Sequence, residues 1–235
     1  MQALRRSYAR NRHGQRKSGG VLLPSALPSR RRSKGLELFM PNTALQYCFD
    51  NWQDGWCQGA QACKSPNFGA RPSQAVIDLI VVHSISLPPG VYGGGEVQQL
   101  FTNQLNWDAH PYFQSIRGLE VSSHFFIERT GAVWQFVSCN DRAWHAGTSA
   151  YRGRNNCNDD SIGIELEGLE GEMFEDLQYE GLACLCRALG RQYPIAHIAG
   201  HEHIAPGRKK DPGPGFDWQR LQNSVAWPHQ YFPEN

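Results

Sequence analysis

The sequence predicts an α/β domain in which one mixed central β-sheet is flanked by helices. Three observations lead there. The stretch Ala75 to Val82 is apolar and β-branched on both faces, as suits a central strand covered from each side. Ser122 to Arg129 and Ala132 to Val137 flank the turn Thr130-Gly131 and read as a hairpin. Glu175 to Tyr193 carries Leu177, Leu182, Leu185 and Leu189 at helical spacing. Strands interspersed with helices, one pair of strands being a hairpin, make the sheet mixed rather than purely parallel.

Along the chain, the strand from Ala75 ends in His83. Ser86-Leu87-Pro88-Pro89-Gly90 breaks it, because proline cannot continue a ladder, and Glu96 to Leu105 then has the apolar spacing of a short helix. After the hairpin, Ser161 to Leu166 reads as a strand, Glu175 to Tyr193 as the longest helix, and Ala196 to Ile204 as a last strand. Side chains able to converge for chemistry belong where such strands end in loops.

With 235 residues, the chain has the length of one well-buried domain with decorations. Its 40% apolar and 19% charged content is that of an ordinary globular protein, and excludes a coiled coil or a wholly disordered chain. The net charge of +1 hides an asymmetry: residues 1–39 hold ten Lys and Arg against the single acid Glu37. That segment, with its prolines, Gly19-Gly20 and few large apolar side chains, reads as a disordered basic extension, or as sequence upstream of a start at Met40. Residues 40–235 form the expected domain. Being mildly acidic, it excludes a specific nucleic-acid partner. No apolar run is long enough to span a bilayer, and the N-terminus lacks the uninterrupted apolar core of a secretion signal. Seven scattered cysteines without a C-x-x-C pair read as reduced thiols, so a cytoplasmic protein is expected; a monomer is expected as well.

Three features carry chemistry: His83 at the end of a buried strand, Glu165 within Ile162 to Gly168, and the segment Gly200 to Gly213, which holds His201, His203, Lys209 and Asp211. A catalytic zinc takes three protein ligands, and two His with one Asp would satisfy that. Taken singly, a strand-end histidine serves as well as a structural residue. His201 and His203, two apart on a strand, would point to one face. Glu165 and Glu167 would likewise share a face, and Lys209 alone reads as a solvated member of Arg208-Lys209-Lys210. Cys157 with His145 would be the groups of a thiol hydrolase, although no nucleophile signature surrounds them.

Several longer motifs occur in order: Leu79-Ile80-Val81-Val82-His83, Ile85 to Gly90, His110-Pro111-Tyr112-Phe113, Arg142-Ala143-Trp144-His145-Ala146-Gly147, Cys157-Asn158-Asp159, Ile162 to Gly168, and Ile204-Ala205-Pro206 through Asp211-Pro212-Gly213. Over residues 45–222 the chain resembles the AmpD family, cytosolic 1,6-anhydro-N-acetylmuramyl-L-alanine amidases of cell-wall recycling within the type-2 amidase and peptidoglycan-recognition superfamily. The resemblance implies a mixed sheet flanked by helices, Zn2+ held by His83, His201 and Asp211, and catalysis by Glu165 and Lys209. It implies a small muropeptide substrate, for which Ser84, Tyr112, Trp144, His145, Arg154 and Asn158 are candidate contacts. Aromatic faces suit a sugar ring, and Arg154 and Asn158 suit peptide or lactyl carboxylates. Ser84 stands where the family usually has Asn, and Glu202-His203 also departs from the family pattern. A recognition module of the same fold without catalysis would lack one of these ligands or acids, and none is missing.

Overall fold

In the computed structural model of the protein, residues 49–233 are described. The basic extension 1–39 and Met40 lie outside them. The main sheet contains β1 (Gln61–Ala62), β2 (Leu79–Ile85), β3 (Phe125–Ile127), β4 (Val133–Gln135), β5 (Ser161–Glu167) and β6 (His197–Gly200) in the spatial order β6-β2-β5-β3-β4-β1. β5 runs parallel to both β2 and β3, β6 runs parallel to β2, and β4 returns antiparallel to β3 as the expected hairpin. The sheet is therefore mixed.

Alternation along the central strands sorts the two faces. Ile80 and Val82 of β2, Ile162, Ile164 and Leu166 of β5, and Ile198 of β6 all pack into one core with the helix α3 (Asp176–Gln192). From α3, Leu182, Leu185 and Leu189 enter that core fully buried. Each such side chain contributes roughly 1.5–3 kcal/mol by leaving water. Glu175 caps the helix in a reciprocal box with Gln178, and Gln178 Nε2 also donates to the carbonyls of Ile127 and Glu167, tying the first turn to β3 and β5. A fifth helix, α5 (Trp218–Val225), packs beside α3; nothing in the sequence pattern had suggested it.

The opposite face is covered by shorter pieces. α1 (Glu96–Phe101) and α2 (Pro111–Ser115) place Val97, Leu100, Phe101 and Phe113 on Phe126 and Phe136. α1 stops short of the expected Leu105: Asn103 takes a left-handed backbone with φ 59, and its side-chain amide pairs reciprocally with Asn67. The strand expected from Ala75 begins at Leu79 instead and runs past His83 to Ile85.

One expected strand is corrected more sharply. Of Ala196 to Ile204, only His197–Gly200 is extended, and His201–Ile204 is a helical turn, α4. The ladder with β2 ends at the pair Gly200 and Val82, and the Gly200 N–H, released from it, donates to His203 Nδ1 at 2.9 Å. A side chain at Gly200 would meet Pro212 and Trp218, so this sharp departure from the sheet requires glycine.

Candidate metal centre and active site

His83 and Glu165 are register partners on the parallel strands β2 and β5. Both belong to the odd-numbered set that faces away from α3, with Leu79, Val81, Ser161 and Gly163 below them. The site therefore lies at the carboxyl ends of the two central strands, on the face covered by short helices and loops. His201 opens α4 directly after β6, and Asp211 follows on the loop whose backbone carbonyl accepts the Glu202 N–H at 2.9 Å.

Three donor atoms converge there. His83 Nδ1 lies 2.9 Å from His201 Nδ1 and 3.2 Å from Asp211 Oδ2, and His201 Nδ1 lies 3.1 Å from the same oxygen. Such a group can hold a metal ion. His83 and His201 are almost wholly buried, and Asp211 is partly so. Three lone pairs at this range repel one another unless a proton or a cation stands between them. Burial would raise the Asp211 carboxyl, but the His201 and His83 rings beside its Oδ2 outweigh it and hold the group far below the usual carboxylate range. Burial foremost lowers His83 to about 4, so its imidazole is neutral at pH 7, as a metal ligand must be.

The outer nitrogens of both rings are engaged as well. His201 Nε2 meets the Ala146 carbonyl oxygen at 3.1 Å, and His83 Nε2 meets His145 Nδ1 at 2.9 Å. His145 Nε2 reaches Ser161 Oγ at 3.2 Å, and the Ser161 hydroxyl donates to the Cys157 carbonyl. Arg208 Nη2 holds the same loop through the carbonyls of Ala146 and Thr148.

Glu165 Oε1 stands 4.0 Å from His83 Nδ1, while Oε2 is buried without a hydrogen-bond partner among the described residues. Burial, and then the Asp211 charge, push this carboxyl well above the ordinary glutamate range, while Lys209 pulls it partway back. Glu167 is a different case: its carboxylate accepts the N–H groups of Gly93 and Arg129 and ties two loops. The face that the two glutamates share thus carries one acid with an unpartnered oxygen and one that ties two loops.

Glu165, His201, Asp211 and Lys209 line a cavity of about 330 Å³ together with Ser84, Tyr112, Trp144 and His145. Its other wall is apolar, built from residues such as Leu87, Leu100, Phe101 and Leu119. Two sequence candidates are not part of this lining. Arg154 pairs with Asp78 at the far end of β2, and with Asp160. Asn158 is buried, its Oδ1 accepting the N–H groups of His145 and Ala146. His203 leaves the cluster too, since residues two apart on a helical turn lie about 200° apart. Its ring packs edge-on to Trp218 at 5.4 Å. Cys157 is buried with its thiol pushed up by burial, and both His145 nitrogens are taken elsewhere, so no thiol dyad forms. Pattern reading missed Ser161 and the Ala146 carbonyl; the one local signal was Gly163, where a Cβ would stand 2.6 Å from His145 Cγ.

The N-acetylmuramoyl-L-alanine amidase family matches residues 73–214, a stretch that holds His83, Glu165, His201, Lys209 and Asp211. The chain is 48% identical over 176 residues to 1,6-anhydro-N-acetylmuramyl-L-alanine amidase AmpD of Escherichia coli K12, covering 74% of this chain and 96% of that protein. The chain belongs to the AmpD family of amidases. AmpD of Haemophilus influenzae is 46% identical over 176 residues, again 74% of this chain and 96% of that protein. Among solved structures, a crystal structure of a Se-Met AmpD derivative superposes with a TM-score of 0.73 at 48% identity, covering 74% of this chain and 99% of the other. The solution structure of Citrobacter freundii AmpD gives 0.56 at 47% identity, with 76% and 97% covered. As an AmpD-family enzyme, the chain is an N-acetylmuramoyl-L-alanine amidase whose mixed sheet carries the family fold.

Proposed function

We propose that the enzyme hydrolyses, with zinc, the amide joining the lactyl group of 1,6-anhydro-N-acetylmuramic acid to L-Ala of the stem peptide, in cell-wall peptide recycling. The names of relatives at 46–48% identity support the anhydro sugar as substrate. The observation that carries the metal is the donor triangle of His83, His201 and Asp211. Tetrahedral zinc with bonds of about 2.0–2.1 Å spaces its ligand atoms about 3.3–3.4 Å apart, close to the triangle found here. Two neutral imidazoles and one carboxylate are also the donor chemistry that zinc prefers.

When bound, zinc supplies Lewis acidity toward the scissile carbonyl and toward water. The chain's own groups do the rest. Glu165, with one oxygen free in a buried site, takes a proton from the attacking water and returns it to the departing amine; its raised pKa suits both transfers. Lys209, on the cavity wall, places an ammonium where negative charge develops on the carbonyl oxygen. The apolar wall and the rings of Tyr112 and Trp144 offer a surface for the sugar and exclude water from the reacting bond. Free thiols at Cys63, Cys139, Cys184 and Cys186 support action in a reducing cytoplasm.

The test is to incubate purified protein with anhydro-muramyl and ordinary muramyl peptides and to identify products by mass. Release of a free peptide beginning with L-Ala, faster from the anhydro substrate and dependent on restoring zinc after chelation, is the expected result. Release from neither substrate, or full activity after exhaustive chelation, defeats the reading.

A further inference from the structure

The hydrogen bonds around His145 have a direction that can be deduced from their far end. The Cys157 carbonyl oxygen can only accept, so the short contact from Ser161 Oγ uses the single hydroxyl proton. Ser161 therefore turns a lone pair toward His145, and His145 Nε2 is the donor across 3.2 Å. A buried imidazole with no carboxylate contact among the described residues is neutral and carries one proton. His145 Nδ1 is then an acceptor, and the proton on the 2.9 Å contact belongs to His83 Nε2. That leaves the lone pair of His83 on Nδ1, the atom facing His201 Nδ1 and Asp211 Oδ2.

We propose that His145 is a positioning residue for the metal centre: it accepts the Nε2–H of His83, and so holds the Nδ1 lone pair of that ligand toward the metal position. The inference rests on the zinc reading above. It leaves His145 no ring nitrogen for a hydrogen bond to substrate, while its ring still lines the cavity.

The surroundings are built to hold this ring. Asn158 Oδ1 grips the backbone N–H of His145 and of Ala146. Adjacent residues of one loop thus orient both histidine ligands, His83 through the His145 ring and His201 through the Ala146 carbonyl. Beneath the ring, β5 has Gly163, where even a methyl group would stand 2.6–2.8 Å from three ring atoms. Outer contacts of this kind typically change metal affinity by roughly 10–100-fold when removed.

Two measurements test it. Long-range proton–nitrogen correlation spectra of the zinc-loaded wild-type protein, labelled at histidine nitrogen, report tautomers without any substitution. Both His83 and His145 are expected as the Nε2–H form, and an Nδ1–H tautomer at His145 overturns the proposal. Zinc affinity is then measured by competition with a chromophoric chelator for wild type, His145→Phe and His145→Asn, with folding checked by circular dichroism. His145→Phe keeps the aromatic volume but loses the acceptor, and should weaken zinc binding roughly 10–100-fold. His145→Asn, with an oxygen near the Nδ1 position, should recover most of that loss. Unchanged affinity in a folded His145→Phe protein, or equal losses in both variants, overturns the inference while leaving the amidase reading intact. Wild-type protein that binds no zinc at all overturns the reading beneath it.

Discussion

Glu165 and His83 face each other across two parallel strands, in register, with Glu165 Oε1 4.0 Å from His83 Nδ1. A carboxyl whose other oxygen is buried without a partner among the described residues costs stability. Its folded pKa is raised, so the native state holds the proton after the unfolded chain has lost it. Stability therefore falls as pH rises from the unfolded value of 4.5 through the folded one. Glu165→Gln should remove this loss, leaving the metal-free protein more stable than wild type at pH 7.5 while turnover drops ~10²–10⁴-fold. Thermal melting and product release on the same samples check both halves, and retained turnover would eliminate Glu165 as the proton carrier.

Lys209 and Lys210 are neighbours of like charge, but of the two only Lys209 lines the cavity. Lys209→Ala is expected to lower kcat by roughly 10²–10³-fold, the scale seen when one donor to a developing oxyanion is lost. Lys210→Ala should stay near wild type. Steady-state kinetics on the pair decide the matter, and equal effects would return Lys209 to the solvated face.

At Gly163 the conflict is steric. A Cβ there would lie 2.6 Å from His145 Cγ, so Gly163→Ala must displace the ring or bend β5. Overpacking of this sort costs about 1–3 kcal/mol. Urea denaturation should show that loss, and zinc affinity should fall along with it. A variant with wild-type stability and affinity would mean that the ring moves freely.

Arg154 was expected at the substrate but pairs with Asp78 and Asp160, its side chain 39% exposed. An ion pair so open to solvent is worth about 0–1 kcal/mol. Arg154→Ala should therefore leave KM for muramyl peptide unchanged and lower stability only slightly. A several-fold rise in KM would restore it to the binding surface.

His124 is fully buried, its Nδ1 accepting the Gly163 N–H at 3.0 Å. Burial foremost, and then Arg71, lower its pKa from 6.5 to about 3. The unfolded chain takes up the proton first, so this contribution is complete above pH 6.5 and is lost as pH falls toward 3. The slope is up to ~1.4 kcal/mol per pH unit. Denaturation of metal-free wild type and His124→Gln between pH 7 and pH 4 should show a shallower acid limb in the variant. Identical limbs would assign the loss to other groups.

The central strands were readable because their burial is complete. β2 and β5, apolar and β-branched, can lie only in the middle of a covered sheet, and the leucine spacing of α3 admits one buried stripe. Its ends agree with the expected span to within a residue, since Glu175 caps it and Pro194 follows the last turn. Where polar atoms steer the backbone, periodicity misled. His201 and His203 look like one strand face until the Gly200 N–H turns back to His203 and curls the chain. The basic extension 1–39 lies outside the described residues.

The sequence by itself determined the kind of sheet, its principal helix and, through long ordered motifs, the family and the residues offered as ligands and acid. Those are properties of local pattern, written in burial and spacing along one strand or helix. Tertiary structure decided which of them meet. His83 and His201 stand 118 positions apart, and their 2.9 Å contact depends on β6 pairing with β2 and on a helical turn that begins at Gly200. The same assembly brought His145 Nδ1 to 2.9 Å from His83 Nε2. Hydrogen-bond direction depends on which donor and acceptor lie within about 3 Å, and only the folded chain brings Cys157, Ser161, His145 and His83 into line.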